Sequence, residues 1–221
     1  MREPISWKWL GLCAYEQSLA EQTAAWELRR AGGPDVCLAL EHPPTITLGR
    51  HGATFDLLAT RADLARQGVA CHTIERGGRA AYHAPGQLVL YPIVSLTERR
   101  IGVRTFVGLL EDLMLDIAAA AGVVAHRDGR GHGIWTEKGK LGAVGIRVRE
   151  GISTHGLALN VNLDLSGYAL IAPCGVRGLP VTSLRAEGVE VEVVDVLAAA
   201  ERACRRRFSD GHGPATEEAT F

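Results

Sequence analysis

Between residues 141 and 165 the chain reads LGAVGIRVREGISTHGLALNVNLDL, and this stretch constrains the fold most. Leu157, Leu159, Val161, Leu163 and Leu165 alternate with Gly156, Ala158, Asn160, Asn162 and Asp164. Alternation sustained in this way is the pattern of a strand with one apolar face. Just upstream, Val144, Ile146 and Val148 alternate with Ala143, Gly145, Arg147 and Arg149. Glu150-Gly151 between the two runs is a turn signal, so the spacing predicts an antiparallel hairpin. The opposite face then begins with Ala143, Gly145, Gly156 and Ala158, whose side chains hold one carbon or none. A sheet face stripped of bulk receives either a closely packed helix or a ligand lying in a groove.

Helices and strands intermix around this hairpin. YEQSLAEQTAAWELRR predicts a helix with Tyr15, Leu19 and Trp26 on one stripe, closed by arginines and a Gly-Gly-Pro stop. DVCLAL reads as a buried strand, and EHPPTITLGRHG as a loop held extended by its double proline. TRADLARQGVA is a short helix ending at Gly68. QLVLYPIVSL has the length of a strand, and Pro92 places it at a sheet edge or near a strand end. In RTFVGLLEDLMLDIAAAAG, Phe106, Leu109, Leu110, Leu113 and Ile117 recur at helical spacing before the terminator Gly122. A last helix falls in VVDVLAAAERACRRRF. With no internal repeat or linker, residues 1–208 are expected to form a single domain and the polar stretch 209–221 a disordered tail. The pattern is that of an α/β (α+β) protein, a mixed β-sheet flanked by helices.

Composition narrows the function classes. A formal net charge of −1 gives no reason to expect nucleic acid or an acidic membrane as partner. The five cysteines are odd in number and lack a CxxC pair, which argues against a disulfide framework. The N-terminus lacks an apolar signal core, and the run IAAAAGVVA is too short to span a membrane. The expectation is a cytoplasmic protein with reduced thiols.

The chemistry-bearing residues point the same way. No histidine or cysteine spacing suits a metal, and ERGGRAAYHAPG is glycine-rich without the spacing of a phosphate loop. No GxSxG elbow is present. Cys13, Cys37, Cys71 and Cys204 read as small core residues, Cys13 and Cys204 within helices. Cys174 differs, because IAPCGVRGLPVTSL places it in a Pro-Cys-Gly turn. A cysteine attacks as the thiolate, which a neighbouring cation or base must favour. His83, His155, Arg177 and Lys140 are the candidates, and Lys140 stands at the start of the small-residue strand.

These stretches carry a resemblance. RGGRAAYHAPGQLVLYPI, residues 76 to 93, resembles the RGG-x-x-TYHGPGQLV-x-YPI signature of the lipoyl(octanoyl) transferases. EHPPTITLGR, KLGAVGIRV, HGLALNVN and PCGVRGLPVTSL are similar to four further motifs of that family, in family order. The resemblance implies a biotin/lipoate protein ligase-like fold. It implies transfer of octanoyl from acyl carrier protein to one lysine of a lipoyl domain. The implied acceptors are 2-oxoacid dehydrogenase complexes and the glycine cleavage H protein, and no metal or other cofactor is needed.

Cys174 is by resemblance the acyl-thioester nucleophile and Lys140 its activating partner. Substrate binding falls to Arg76, Gly77, Gly78, Arg79, Ala80, Ala81, Tyr82 and His83, to Ala143, Val144 and Gly145, and to Gly156, Leu157 and Ala158. Backbone amides near Cys174 are the expected oxyanion donors. The family pattern has Thr and Gly where this chain has Ala81 and Ala84, and an alanine forced to positive φ costs about 1 kcal/mol. Two rival activities share the fold: octanoyl amidotransfer between lipoyl domains, and ATP-dependent ligation of lipoate or biotin.

Overall fold

The computed structural model describes residues 4–52 and 54–209. In chain order the elements are β1 (Ser6–Leu12), α1 (Tyr15–Arg30), β2 (Val36–Glu41), β3 (Thr45–Leu48), α2 (Arg61–Arg66), β4 (Ala70–Thr73) and β5 (Ala80–His83). They continue with β6 (Gln87–Ile93), α3 (Leu96–Arg99), α4 (Val103–Ala120), β7 (Gly133–Thr136), β8 (Gly139–Arg149), β9 (Ile152–Asn160) and α5 (Val193–Arg207). A six-stranded sheet runs β1-β2-β6-β9-β8-β7, and a three-stranded sheet runs β4-β3-β5. Pairs β1/β2 and β3/β4 are parallel and the rest antiparallel, so both sheets are mixed. Among the described residues no helix is long and apolar enough to cross a membrane.

The β8–β9 hairpin forms as its alternation predicts. Glu150 (φ 51°) and Gly151 (φ 74°) make the turn, a pair of left-handed residues that matches strand twist in a two-residue connection. The register sets Ala143 opposite Ala158 and Gly145 opposite Gly156, so the small residues meet across the ladder. Strand β9 stops at Asn160, and the alternation through Leu165 outlasts it. There the carbonyl of Gly86 accepts the amides of Val161, Asn162 and Leu163, which bends the chain out of the sheet. Gly86 is irreplaceable at this bend: its φ is +89° and a Cβ would stand 2.5 Å from the Leu163 nitrogen.

Both faces of the large sheet are covered, which explains the unbroken apolar runs of β2 and β6. On one side Leu88 and Leu90 of β6 and Leu157 and Leu159 of β9 pack with α4 and α5. Phe106, Leu110, Leu113, Met114 and Ile117 of α4 are wholly buried there, each worth about 1.5–3 kcal/mol relative to exposure. On the other side Val89, Tyr91 and Ile93 join Trp26 of α1 and Leu38 and Leu40 of β2. Strand β6 lies inside the sheet and Pro92 near its end. Pairing with β9 stops at Leu90, so the missing proline N–H interrupts no bond on that side.

Three expectations change. TITL within the double-proline segment is β3, the centre of the small sheet, because Ile46 and Leu48 bury among Leu64, Ala80 and Tyr82. The buried side of α1 is Tyr15, Ser18, Gln22, Trp26 and Arg29, while Leu19 is exposed. That side is largely polar because it meets ionic and hydrogen-bonding partners, including Asp35 at 2.6 Å from Arg29. Cys13 lies in the link between β1 and α1 and not in a helix. The tail read from the composition lies, from residue 210, outside the described residues.

Candidate active site

Cys174 and Lys140 come together although 34 positions separate them. Lys140 follows the Gly139 that opens β8, and its backbone N–H donates to Pro180 O at 2.9 Å. Its carbonyl accepts from Thr182 N at 3.0 Å, so residues 180–182 extend the sheet where β9 has not begun to pair. Gly139 makes this approach possible, since a Cβ there would meet the Pro180 backbone at 2.7 Å. The chain therefore returns past Lys140 a few residues after Cys174. Lys140 Nζ donates to Cys174 Sγ at 3.3 Å and to His132 O at 2.8 Å. Lys140 is buried and its ammonium stands 5.0 Å from the Trp135 ring, whereas Cys174 is exposed.

The turn that carries the thiol is strained. Cys174 adopts φ 56°, ψ 17° inside a short 3-10 turn, Pro173–Gly175. A non-glycine residue in that region costs roughly 1–2 kcal/mol and persists only when its surroundings hold it. Arg79 is part of that hold: its guanidinium packs against Gly175 and bonds the buried Asp56 carboxylate at 2.8 and 3.2 Å. Asp56 O in turn accepts Ala172 N at 2.8 Å. The amides of Gly175 and Val176 are occupied by Ala172 O and Pro173 O, so the expected oxyanion donors immediately after Cys174 are engaged within the turn.

A second clamp acts on Lys140. Glu111, a buried carboxylate on α4, accepts Gly133 N at 3.0 Å and Arg127 Nε at 2.9 Å. It thereby holds both arms of the loop that presents the His132 carbonyl to Lys140.

The pair opens on a cavity of about 510 Å³. Its wall includes the small hairpin residues Ala143, Gly145, Gly156 and Ala158, with Val144 and Leu157 beside them. Arg76, Gly77, Gly78, Arg79, Ala80, Ala81 and His83 supply the facing wall. Tyr82 lines an adjoining smaller cavity that also reaches Lys140 and Cys174. Every catalytic or substrate-binding residue implied by the resemblance thus lines one or both of two cavities whose walls share Lys140 and Cys174. Arg76 lies over Gly145, where an added Cβ would meet its Cδ at 2.9 Å, and Gly77 N donates to Ile146 O at 2.8 Å. Ala84 has no positive φ, so the cost foreseen for it does not arise.

Arg76 and His83 are tied into the protein. Arg76 donates to Thr47 O, Thr47 Oγ1 and Gly77 O, while His83 bonds Gln87 Oε1 at 2.7 Å and Thr47 Oγ1 at 3.3 Å. His155 is not beside Cys174; its Nε2 meets Tyr15 OH at 3.2 Å, and the ring belongs to a buried set with His42, His83 and Tyr91. No bond or ion pair links Arg177 to the pair among the described residues. Sequence reading missed Tyr15, Thr47, Asp56, Glu111 and Trp135, which lie far apart in the chain and share no motif.

Burial keeps these imidazoles neutral. Desolvation lowers His83 to about 3 and His155 to about 4, with neighbouring positive charge adding to the effect. The unfolded side chains titrate near 6.5, so the unfolded chain binds more protons between that value and the folded ones. Stability is therefore full above about pH 6.5 and falls as pH drops toward 4, by roughly 1.4 kcal/mol per unit per group. Denaturant titrations at pH 7.5, 6 and 5 should show midpoints falling with pH. A flat series would show that these rings are not held neutral by the fold.

Comparison with known proteins accords with this geometry. Residues 13–205 match the family described as lipoyl protein ligase A/B catalytic domain. An octanoyltransferase of Desulfotalea psychrophila is 43% identical over 85% of this chain and 86% of its own length. A mitochondrial octanoyltransferase of Arabidopsis thaliana is 40% identical over 85% of this chain and 81% of its own. Among solved structures, a lipoate-protein ligase A bound with ATP superposes with a TM-score of 0.72 at 15% identity, over 93% of this chain and 85% of its own. A biotin protein ligase from Aquifex aeolicus in complex with biotin and ATP gives 0.53 at 11%, over 91% and 69%. At such identities the structural likenesses establish the fold alone. The family match and the relatives at 40 to 43% identity establish more: the chain belongs to the lipoyl(octanoyl) transferase family, acyltransferases that move octanoyl in lipoate biosynthesis.

Proposed function

We propose that the chain takes octanoyl from the thioester of an acyl carrier protein onto Cys174 and passes it to one lysine of a lipoyl domain. The observation that carries this reading is the Lys140 Nζ to Cys174 Sγ contact at 3.3 Å, at the mouth of a cavity sized for an acyl chain. Residues 1–208 act as one catalytic domain. Lipoyl domains of 2-oxoacid dehydrogenase complexes and the glycine cleavage H protein are the acceptors, and the cytoplasm is the compartment.

The steps follow from the two groups. The Lys140 ammonium favours the Cys174 thiolate, which attacks the donor carbonyl and forms a new C–S bond. The tetrahedral oxyanion collapses with loss of the pantetheine thiolate, which takes its proton from Lys140. Neutral Lys140 then accepts a proton from the incoming lysine amine as that nitrogen attacks the Cys174 thioester. The amide forms and the thiolate returns. One thioester is exchanged for another of similar energy, so the first half-reaction consumes no nucleotide. Ala143, Gly145, Gly156 and Ala158 keep the channel floor clear for the alkyl chain, and the wall from Arg76 to His83 closes over it.

The test separates the two halves. The protein is mixed with octanoyl carrier protein without ATP, freed of donor, and weighed intact. An octanoyl adduct that then moves to the lysine of an added lipoyl domain supports the reading. Turnover that needs ATP and free octanoate would establish a ligase instead, and an adduct charged only from an octanoylated lipoyl domain would establish an amidotransferase.

A further inference from the structure

Acyl transfer through Cys174 builds negative charge on the carbonyl oxygen twice, once in each half-reaction. Amides that follow a nucleophile in its turn are natural donors to that charge. Here both are taken, because Gly175 N donates to Ala172 O at 2.9 Å and Val176 N to Pro173 O at 3.0 Å. Lys140 is committed as well, its Nζ bonded to Cys174 Sγ and His132 O. The turn itself thus leaves the oxyanion without a donor.

Arg79 stands beside that turn and lines the cavity together with Cys174. Its guanidinium rests on Gly175, where an added Cβ would lie 2.6 Å from Nε and 2.7 Å from Cζ. Consecutive Cα atoms are about 3.8 Å apart, so Cζ lies within about 8 Å of the Cys174 Cα. A cysteine side chain and a thioester carbonyl together bridge a gap of that size.

The guanidinium has an edge to spare. Nε and Nη2 donate to the Asp56 carboxylate, while Nη1 makes no hydrogen bond among the described residues. The Arg79 side chain is 31% exposed and that of Asp56 0%, so the committed edge is the inner one. Asp56 also fixes the distance to the thiol, because its backbone O accepts Ala172 N at 2.8 Å. One residue therefore anchors both the guanidinium and the turn that carries Cys174. A donor held in place before the charge appears needs no reorganisation when it does. The hydrogen bond to Asp56 raises the Arg79 pKa and the charge of Cys174 adds to it, so the guanidinium keeps its protons throughout.

We infer that Arg79, through Nη1, donates to the oxyanion of both tetrahedral intermediates. This rests on the acyl-transfer reading above and adds a catalytic residue to it. As the Cys174 thiolate adds to the donor carbonyl, the C–S bond forms and the π electrons of C=O move onto oxygen, where Nη1–H meets them. On collapse C=O re-forms and the donor thiolate leaves, protonated by Lys140. The second half places its oxyanion on the same oxygen, as the acceptor amine adds and the Cys174 thiolate departs. Arg79 gives up no proton in either half. A residue that only braced the turn would act otherwise, since its loss would slow every reaction of the thiol alike.

Two reactions of one thiol separate these roles. Acylation by the small thioester S-octanoyl-N-acetylcysteamine passes through an oxyanion. Alkylation by iodoacetamide, a displacement at saturated carbon, does not. Both rates are read by intact mass on the parent, Arg79→Met and Arg79→Lys, each first shown to be folded by its melting curve. Arg79→Met should lower the acylation-to-alkylation ratio about 10²-fold, the scale on which loss of one oxyanion donor is felt. Arg79→Lys keeps an ion pair with Asp56 but has no second edge, so the ratio should still fall about tenfold. The lysine variant decides the matter if the methionine variant does not fold. A ratio that stays at the parent value in either folded variant would overturn the inference and leave Arg79 as a brace for the turn. A parent protein that takes octanoyl from neither this thioester nor the carrier protein would instead sink the function reading.

Discussion

Cys174→Ala is expected to abolish the octanoyl adduct and to reduce transfer by at least about 10⁴-fold, the scale on which loss of a covalent nucleophile is felt. The variant should still fold, because Cys174 is exposed and its neighbours are held by Arg79 and Asp56. The backbone supplies an independent check. At an ordinary position glycine is less stable than alanine by roughly 0.5–1 kcal/mol. At φ 56° that order reverses, since alanine shares the strain of cysteine and glycine does not. Cys174→Gly should therefore be inactive yet melt no lower than Cys174→Ala. Adduct formation in Cys174→Ala would move the acyl group to another residue and remove Cys174 from the mechanism. A glycine variant that melts lower would show that the turn is not strained.

The second large effect is at Lys140. Lys140→Met keeps most of the stem against Trp135 and removes the ammonium, so octanoylation should slow by about 10²–10⁴-fold. Alkylation of Cys174 at one fixed pH should also slow, because Sγ loses the Nζ donor 3.3 Å away. Lys140→Arg separates the two roles. A guanidinium retains the charge and does not give up its proton, so the alkylation rate should stay near the parent value while transfer remains slow. An alkylation rate in Lys140→Met equal to that of the parent would take away the activating role. Both rates are measured on the folded protein, so loss of fold does not mimic either result.

The site is not a short catalytic motif on a scaffold. It is two clamps that meet. One runs from Asp56 through Arg79 to the turn carrying Cys174, and the other from Glu111 through Gly133 and the His132 carbonyl to Lys140. Both carboxylates are buried, and a buried carboxylate is costly unless every oxygen is matched. Each is matched here by donors that also position the reacting pair. That arrangement explains why Lys140 and Cys174 can sit within 3.3 Å while one is buried and the other is exposed.

The chain's local patterns reach a long way toward this picture. Alternation at 143–158 determines the hairpin, and its phase determines which face is small, because a strand repeats every two residues whatever surrounds it. Helical spacing determines α4, and the Pro-Cys-Gly turn singles out Cys174. Other elements escape such reading. Thr45–Leu48 follows two prolines and is a strand only because Ile46 and Leu48 find a core between α2 and β5. The polar side of α1 carries no apolar stripe, because its partners are His155, Asp35 and Glu98, supplied from elsewhere. What the sequence by itself determined is therefore the hairpin, its small face and the candidate nucleophile, all properties of neighbours in the chain. Tertiary structure alone decided that residues 180–182 would pair beside Lys140, that Asp56 and Glu111 would brace the pair, and that Tyr15, Arg76 and His155 would close the cavity. Those contacts join positions tens to more than a hundred residues apart, and no local periodicity encodes a distance through space.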